Sequence, residues 1–257
     1  NSHYILLCTK QGIIKKTALE DFSRPRQTGV NAITVNEGDQ LLDAQMTDGN
    51  SEIMMAVRSG RAIRFSENAV RPTGRGAIGV RGIDVDDETD EVIGMICDNP
   101  DTENGVTVLV VSEKGYGKRT KIDEYRYTNR GGKGVKTMNV TEKTGKLVGL
   151  LGVAETEDLM ISCKSGITIR MPVRGISELG RATQGVKLIR VEEGDEIAAI
   201  TKVEQVENGD ENSDENVGNG ENLTENDTNH APSAENDATL NDEDSSSKSE
   251  GNESPVS

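Results

Sequence analysis

The 257-residue chain contains no tryptophan, only two phenylalanines and four tyrosines, two histidines and three cysteines. Each scarcity excludes something. With so few aromatics the chain has few platforms on which to stack unpaired bases, so single-strand and RNA-loop recognition are disfavoured. Aromatic hot spots of a large protein-binding surface are scarce for the same reason. His3 and His230 lie far apart near the ends of their regions, which disfavours a histidine-based metal or catalytic site. Cys8, Cys97 and Cys163 are odd in number, widely spaced and form no Cys-x-x-Cys pair, as expected of reduced buried thiols rather than a disulfide frame. No apolar run is long enough to span a membrane, and Tyr4 to Cys8 lacks the basic region of a signal peptide before it. A cytoplasmic protein is expected. The chain starts at Asn1 rather than Met, as a fragment or processed product would.

What is present is charge, unevenly placed. The net charge is −16, but residues 206–257 hold fifteen acids against the single base Lys248. Residues 1–205 then hold 30 acids and 28 bases, so the body is nearly neutral. The acidic end, exemplified by Glu211-Asn-Ser-Asp-Glu-Asn216, has no apolar periodicity and cannot offset the entropy of ordering. Residues 206–257 are expected to be a disordered acidic tail. Its two readings are a solubilising end and a DNA mimic that competes for basic residues. The Asn-x-Thr triplets at Asn222 and Asn226 mean nothing outside a secretory context.

The body repeats. Ile5-Leu-Leu-Cys-Thr-Lys-Gln-Gly12, Ile53-Met-Met-Ala-Val-Arg-Ser-Gly60, Val108-Leu-Val-Val-Ser-Glu-Lys-Gly115 and Leu159-Met-Ile-Ser-Cys-Lys-Ser-Gly166 are one pattern, with glycines 48, 55 and 51 apart. A Gly-Val marker follows in each unit, at Gly29, Gly79, Gly134 and Gly185. Each unit offers four short apolar runs separated by turns and no long helical period. The pattern predicts an all-β, propeller-like array of four-stranded blades at about 3–51, 52–103, 104–156 and 157–205.

Basic residues recur in register within this repeat. Four past the first marker glycine stand Lys16, Arg64, Arg119 and Arg170. Four before the Gly-Val glycine stand Arg75, Arg130 and Arg181, with Arg26 one place off in the first unit. Two past that glycine stand Arg81, Lys136 and Lys187, where the first unit has Asn31. In a blade array one repeat position maps to one place on each blade, so a repeated base makes a stripe. A stripe of Lys and Arg suits a phosphate backbone, bound without reading sequence. The other reading is ordinary strand bases paired with carboxylates.

Other motifs carry less. Gly74-Arg-Gly-Ala-Ile-Gly79 fits a dinucleotide glycine pattern but precedes a β-like run, not a helix. Arg126-Tyr127 lacks the surroundings of a nucleophile. The acids from Asp84 to Glu91 lack the glycine and glutamate of a calcium loop, and read as a solvated turn.

Gly115-Tyr-Gly-Lys-Arg-Thr120 with Glu124-Tyr125, Gly12-Ile-Ile-Lys-Lys-Thr17 with Phe22, Gly79-Val-Arg-Gly-Ile83 and Gly180-Arg-Ala-Thr-Gln-Gly-Val186 together resemble the C-terminal domain of bacterial DNA gyrase A. The resemblance runs in order over residues 3–205. It implies a β-pinwheel with strands exchanged between neighbouring blades, and duplex DNA wrapped around the rim in a right-handed sense. It further implies an ATP-dependent type IIA topoisomerase in which this part carries no catalytic residues. ATP and Mg2+ would sit elsewhere in an A2B2 holoenzyme, with gyrase B and the rest of gyrase A as partners and the nucleoid as location. Family domains have six blades, and four are present here, resembling the last four. The family's Gln-Arg-Arg-Gly-Gly-(Lys or Arg)-Gly box belongs to the first blade. Here Arg130-Gly-Gly-Lys-Gly134 matches only its last five positions, in a later blade, making Arg130 and Lys133 candidate phosphate contacts. Two alternatives stand: the corresponding C-terminal domain of topoisomerase IV, and a protein-interaction propeller.

Overall fold

The computed structural model describes residues 3–86, 89–98 and 106–204. The expected acidic tail, Asp87 and Glu88 lie outside the described residues. The first repeat contributes β1 (Tyr4–Thr9), β2 (Ile13–Ala18) and β3 (Leu41–Thr47). The second contributes β4 (Glu52–Val57), β5 (Arg61–Ser66), β6 (Val80–Arg81) and β7 (Val92–Asp98). The third contributes β8 (Thr107–Ser112), β9 (Tyr116–Lys121), β10 (Val135–Lys136) and β11 (Leu147–Val153). The fourth contributes β12 (Glu157–Cys163), β13 (Thr168–Pro172), β14 (Val186–Lys187) and β15 (Ile197–Glu204). A short 3-10 turn follows each second strand, at Leu19–Phe22, Glu67–Ala69, Ile122–Glu124 and Val173–Gly175.

These strands form four antiparallel sheets ordered β3-β1-β2-β6, β10-β5-β4-β7, β11-β8-β9-β14 and β13-β12-β15. The two-residue strand of each later repeat therefore crosses to the sheet of the repeat before it. Val80–Arg81 pairs with Ile14 and Ile13, Val135–Lys136 with Ala62 and Arg61, and Val186–Lys187 with Gly117 and Tyr116. The closing strands β3, β7, β11 and β15 follow one another at the opposite edge. In the first repeat the segment expected to give a third strand, residues 28–36, forms none.

Hydrophobic alternation explains the stacking. Strands buried on both faces read as continuous apolar runs. Along β4, Ile53, Met55 and Val57 enter one core cluster while Met54 and Ala56 enter the next. Along β8, Val108 and Val110 belong to that second cluster, and Leu109 and Val111 to a third. Period 2 thus sends successive residues to opposite blade boundaries. Full burial of each such side chain stabilises by about 1.5–3 kcal/mol. In the last sheet β12 buries Leu159 and Ile161 but leaves Met160 and Ser162 only partly covered.

The marker glycines serve the strand exchange. Gly12 has φ +84°, and a Cβ there would lie 2.6 Å from the carbonyl oxygen of Ile83, two residues past the incoming strand β6. Glycine alone permits both the left-handed turn and that approach. Cys8 and Cys163 are buried and Cys97 partly so, all as free thiols. Burial pushes the Cys8 and Cys97 thiols up, away from the reactive thiolate.

Candidate nucleic-acid interface

The three basic registers have different fates. Residues four past the marker glycine lie on the second strand of each sheet, and in the first three repeats they face the next repeat. Lys16 is buried, and its Nζ lies 2.7 Å from Oε1 of Glu67, in the 3-10 turn of the second repeat. Its ammonium also stands 4.1 Å from the Tyr4 ring centroid. Arg64 donates to the carbonyls of Ile122 (2.9 Å) and Tyr125 (3.2 Å) at the turn of the third repeat, and to Glu52 Oε2 (2.7 Å). Arg119 donates to the Ile176 carbonyl (2.9 Å) of the fourth repeat and to Glu155 Oε1 (3.1 Å). Each guanidinium or ammonium brackets the following blade. Arg170 occupies the same position in the last sheet, where it donates to Asp158 Oδ2 of its own hairpin (2.6 Å) and stays half exposed.

The other two registers gather at the outer edges. Arg81, Lys136 and Lys187 sit on the exchanged strands β6, β10 and β14 and are exposed. Arg75, Arg130 and Arg181 sit on the loops leading into those strands, and Arg26 on the exposed segment of the first repeat. Adjacent loops are tied together. Arg130 donates from Nη1 to the Arg81 carbonyl (3.0 Å) and from Nε to the Ala69 carbonyl (3.0 Å). Arg181 donates from Nη1 to the Lys136 carbonyl, repeating the contact one blade on. Lys133 is exposed, with Nζ 2.8 Å from Asp86 Oδ1, a carboxylate that Arg61 also binds. The Lys133 hydrogen bond is the main cause holding the Asp86 carboxyl below the usual range.

The acidic stretch serves as counter-charge and turn support. Asp84 pairs with Arg81, Glu91 pairs with Lys10 and Arg58, and Asp90 accepts from the Ser59 backbone N–H. Among the described residues no group of three or more His, Cys, Asp or Glu could hold a metal ion, and no helix is long and apolar enough to cross a membrane.

Two cations escape a reading of the sequence. Lys15 and Lys118, each three past its marker glycine, are buried with their ammonium groups on backbone carbonyls. Each stands directly before a registered base, in Lys15-Lys16 and Lys118-Arg119, on a strand of mixed polarity. Alternation alone cannot separate that from a solvated face.

Residues 3–48, 51–97, 107–154 and 157–204 each match the family described as DNA gyrase C-terminal domain, beta-propeller. The chain is 44% identical over 202 residues to the DNA gyrase A protein of Staphylococcus epidermidis, covering 79% of this chain and 22% of that protein. It is 41% identical over 213 residues to the Staphylococcus aureus counterpart, covering 83% and 24%. The chain therefore spans about a fifth of the length of these relatives. Among solved structures, a DNA gyrase A C-terminal domain superimposes with TM-score 0.68 at 27% identity, over 78% of this chain and 66% of that one. A DNA topoisomerase IV C-terminal domain superimposes with TM-score 0.72 at 24% identity, over 79% and 62%, a likeness of fold. Four matched repeats, four sheets joined by exchanged strands and relatives above 40% identity place this chain in the DNA gyrase A C-terminal domain family.

Proposed function

We propose that this chain is the DNA-wrapping module of a gyrase A protein. Duplex DNA lies along the outer sheet edges, held by phosphate contacts to Arg26, Arg75, Arg81, Arg130, Lys133, Lys136, Arg181 and Lys187. The observation that carries this is the recurrence of exposed bases on the exchanged strands, with loops of successive blades linked from Arg130 to Arg81 and from Arg181 to Lys136. Repeated cations on a stepped array match a bent backbone, and none needs to read a base edge. Lys16, Arg64 and Arg119 act behind this surface by bracketing blades, and Arg170 lies half exposed at the last one.

The module does no bond chemistry in this reading. Strand cleavage, ATP and Mg2+ belong to the rest of gyrase A and to gyrase B in an A2B2 enzyme, which works on the nucleoid in the cytoplasm. Wrapping presents a positive crossing that the enzyme converts into negative supercoils. The topoisomerase IV alternative rests on shared fold alone, whereas the relatives above 40% identity are gyrase A proteins.

The test is a wrapping assay. Nicked plasmid is incubated with residues 1–257 or 1–205, sealed with ligase, stripped of protein, and its linking number read on a gel at two salt concentrations. A positive shift lost at high salt supports chiral wrapping, and a larger shift for 1–205 makes the acidic tail inhibitory. Salt-sensitive binding without a shift points to the topoisomerase IV type of contact. No binding points to the protein-interaction propeller.

A further inference from the structure

In the first and third sheets, the strand position three past the marker glycine is a buried lysine. Lys15 is 1% exposed and Lys118 0%. Lys15 Nζ donates to the carbonyls of Ala32 (2.6 Å) and Arg75 (2.6 Å). Lys118 Nζ donates to the carbonyls of Gly180 (2.6 Å) and Arg181 (2.5 Å) and to Thr183 Oγ1 (3.1 Å). Arg75 and Arg181 occupy one and the same repeat position, four before the Gly-Val glycine. Two lysines in two repeats thus grip the same loop carbonyl of the following repeat.

This correspondence does more than fill space. Burying an ammonium is costly unless its donors are satisfied, and an apolar side chain would serve packing alone, as Ile63 does at this position in the second sheet. Neither ammonium bonds a carboxylate. Glu124 and Arg181 are the charged groups bearing on Lys118, and Asp21 and Arg75 those bearing on Lys15. A carbonyl-held ammonium keeps its positive charge, whereas a carboxylate partner would cancel it. It also draws carbonyl oxygens inward, away from the face where phosphate would approach.

We propose that Lys15 and Lys118 are positioning residues for DNA binding: each draws the loop carbonyls of the next repeat inward, aims Arg75 or Arg181 outward, and adds an uncancelled charge beneath the loop. The proposal rests on the DNA-wrapping reading above. The third repeat's loop is held differently. There Arg130 anchors itself to the Ala69 and Arg81 carbonyls, and Gly131 N–H donates to the Gly82 carbonyl at 2.6 Å.

Desolvation lowers Lys118 to about 8, opposed by Glu124 and assisted by Arg181, and Lys15 is lowered for the same leading reason. The loop contacts should therefore loosen on the alkaline side of neutrality.

The experiment uses the full chain and its Lys118→Met and Lys15→Met variants, with a blunt 40-base-pair duplex as probe. Affinity is measured from pH 7 to 9.5, and amide exchange is followed at residues 180–185 and 128–134. Wild type should lose roughly fivefold in affinity across this range, the order of one weakened phosphate contact. Lys118→Met should start roughly fivefold weaker, show a shallower pH profile, and exchange faster at 180–185 but not at 128–134. Lys118→Arg should restore part of the affinity. Wild-type affinity, pH profile and loop protection in Lys118→Met would overturn the proposal. Should that variant fail to fold, the wild-type amide shifts of 180–183 decide. Titration together with the Lys118 ammonium supports the role, and independence from it overturns the role. If wild type binds no duplex at any pH, the wrapping reading fails, and the loop exchange data still judge whether the lysines position the loops.

Discussion

Lys16 and Glu67 meet at 2.7 Å across the boundary between the first two blades, with side chains 4% and 0% exposed. Glu67 is further held by Thr47 Oγ1 (2.5 Å) and by the Ser51 N–H (3.0 Å). Removing one member of a buried pair leaves an uncompensated charge and costs about 3–5 kcal/mol, whereas replacing both by apolar groups is far milder. Glu67→Ala should thus lower unfolding free energy in urea by about 3–5 kcal/mol, and Lys16→Met with Glu67→Leu together by less, the remaining loss coming from the unpaired Ser51 N–H and Thr47 hydroxyl. Equal losses in the single and double variants would show that the pair is not the bracket between these blades.

The outer-edge row, with Lys133 and Lys136 exposed and Arg130 half-buried, should behave as phosphate contacts. Reversing Arg130, Lys133 and Lys136 to Glu should weaken duplex binding by a similar factor on any sequence. It should also reduce the slope of log affinity against log salt by up to about 2.7, or about 0.9 per lost contact. Equilibrium titration of two unrelated duplexes at several salt concentrations checks this. Unchanged affinity at low salt would remove these three residues from the interface.

Some of this is legible in sequence and some is not. The runs Ile53 to Val57 and Val108 to Val111 announce strands buried on both faces, and so the stacking of blades. The repeat of Lys16, Arg64 and Arg119 announces one place on each blade but not its direction. Here direction follows from carbonyls and carboxylates of the next repeat, some 50 residues away. The third run of each later repeat is legible as a short strand, but as two paired residues it is too short for periodicity to say which sheet it joins, and the family resemblance alone anticipates the exchange. Residues 28–36 carry the same Gly-Val marker yet form no strand, because pairing and not propensity makes such a short segment extended. Lys15 and Lys118 look like solvated strand bases until their carbonyl partners are known.

Asp86 sets a limit on the row. It bonds both Lys133 and Arg61 at the surface, and these bonds, Lys133's first, favour its ionised form, so the carboxylate persists as pH falls into the acid range. The contacts it makes are therefore present above the ordinary carboxylate range and disappear only when pH drops below the lowered folded-state value. At neutral pH it neutralises cations that phosphate would otherwise meet. Asp86→Asn should strengthen duplex binding several-fold at low salt, steepen the salt dependence, and leave the melting temperature nearly unchanged because exposed pairs stabilise little. Weaker binding in this variant would mean that Asp86 orders Lys133 rather than competing with DNA for it.

Gly134 and Gly29 share one repeat position and similar φ angles, +72° and +79°, but not their surroundings. A Cβ on Gly134 would lie 2.3 Å from the Ala62 carbonyl oxygen of the accepting strand, whereas one on Gly29 would meet nothing within 4 Å. Alanine at either site bears the left-handed penalty of about 1–2 kcal/mol. At Gly134 it must also push β10 off β5, breaking the Val135–Ala62 pairing and moving Lys136 at the outer edge. Gly29→Ala should therefore lower unfolding free energy by only about 1–2 kcal/mol and leave duplex affinity near wild type. Gly134→Ala should cost clearly more and weaken DNA binding, because the strand that carries Lys136 can no longer seat. Urea titration of the two variants beside a duplex-binding measurement separates these outcomes. Equal effects at both positions would mean that backbone strain, and not the seating of the exchanged strand, is what the glycine protects.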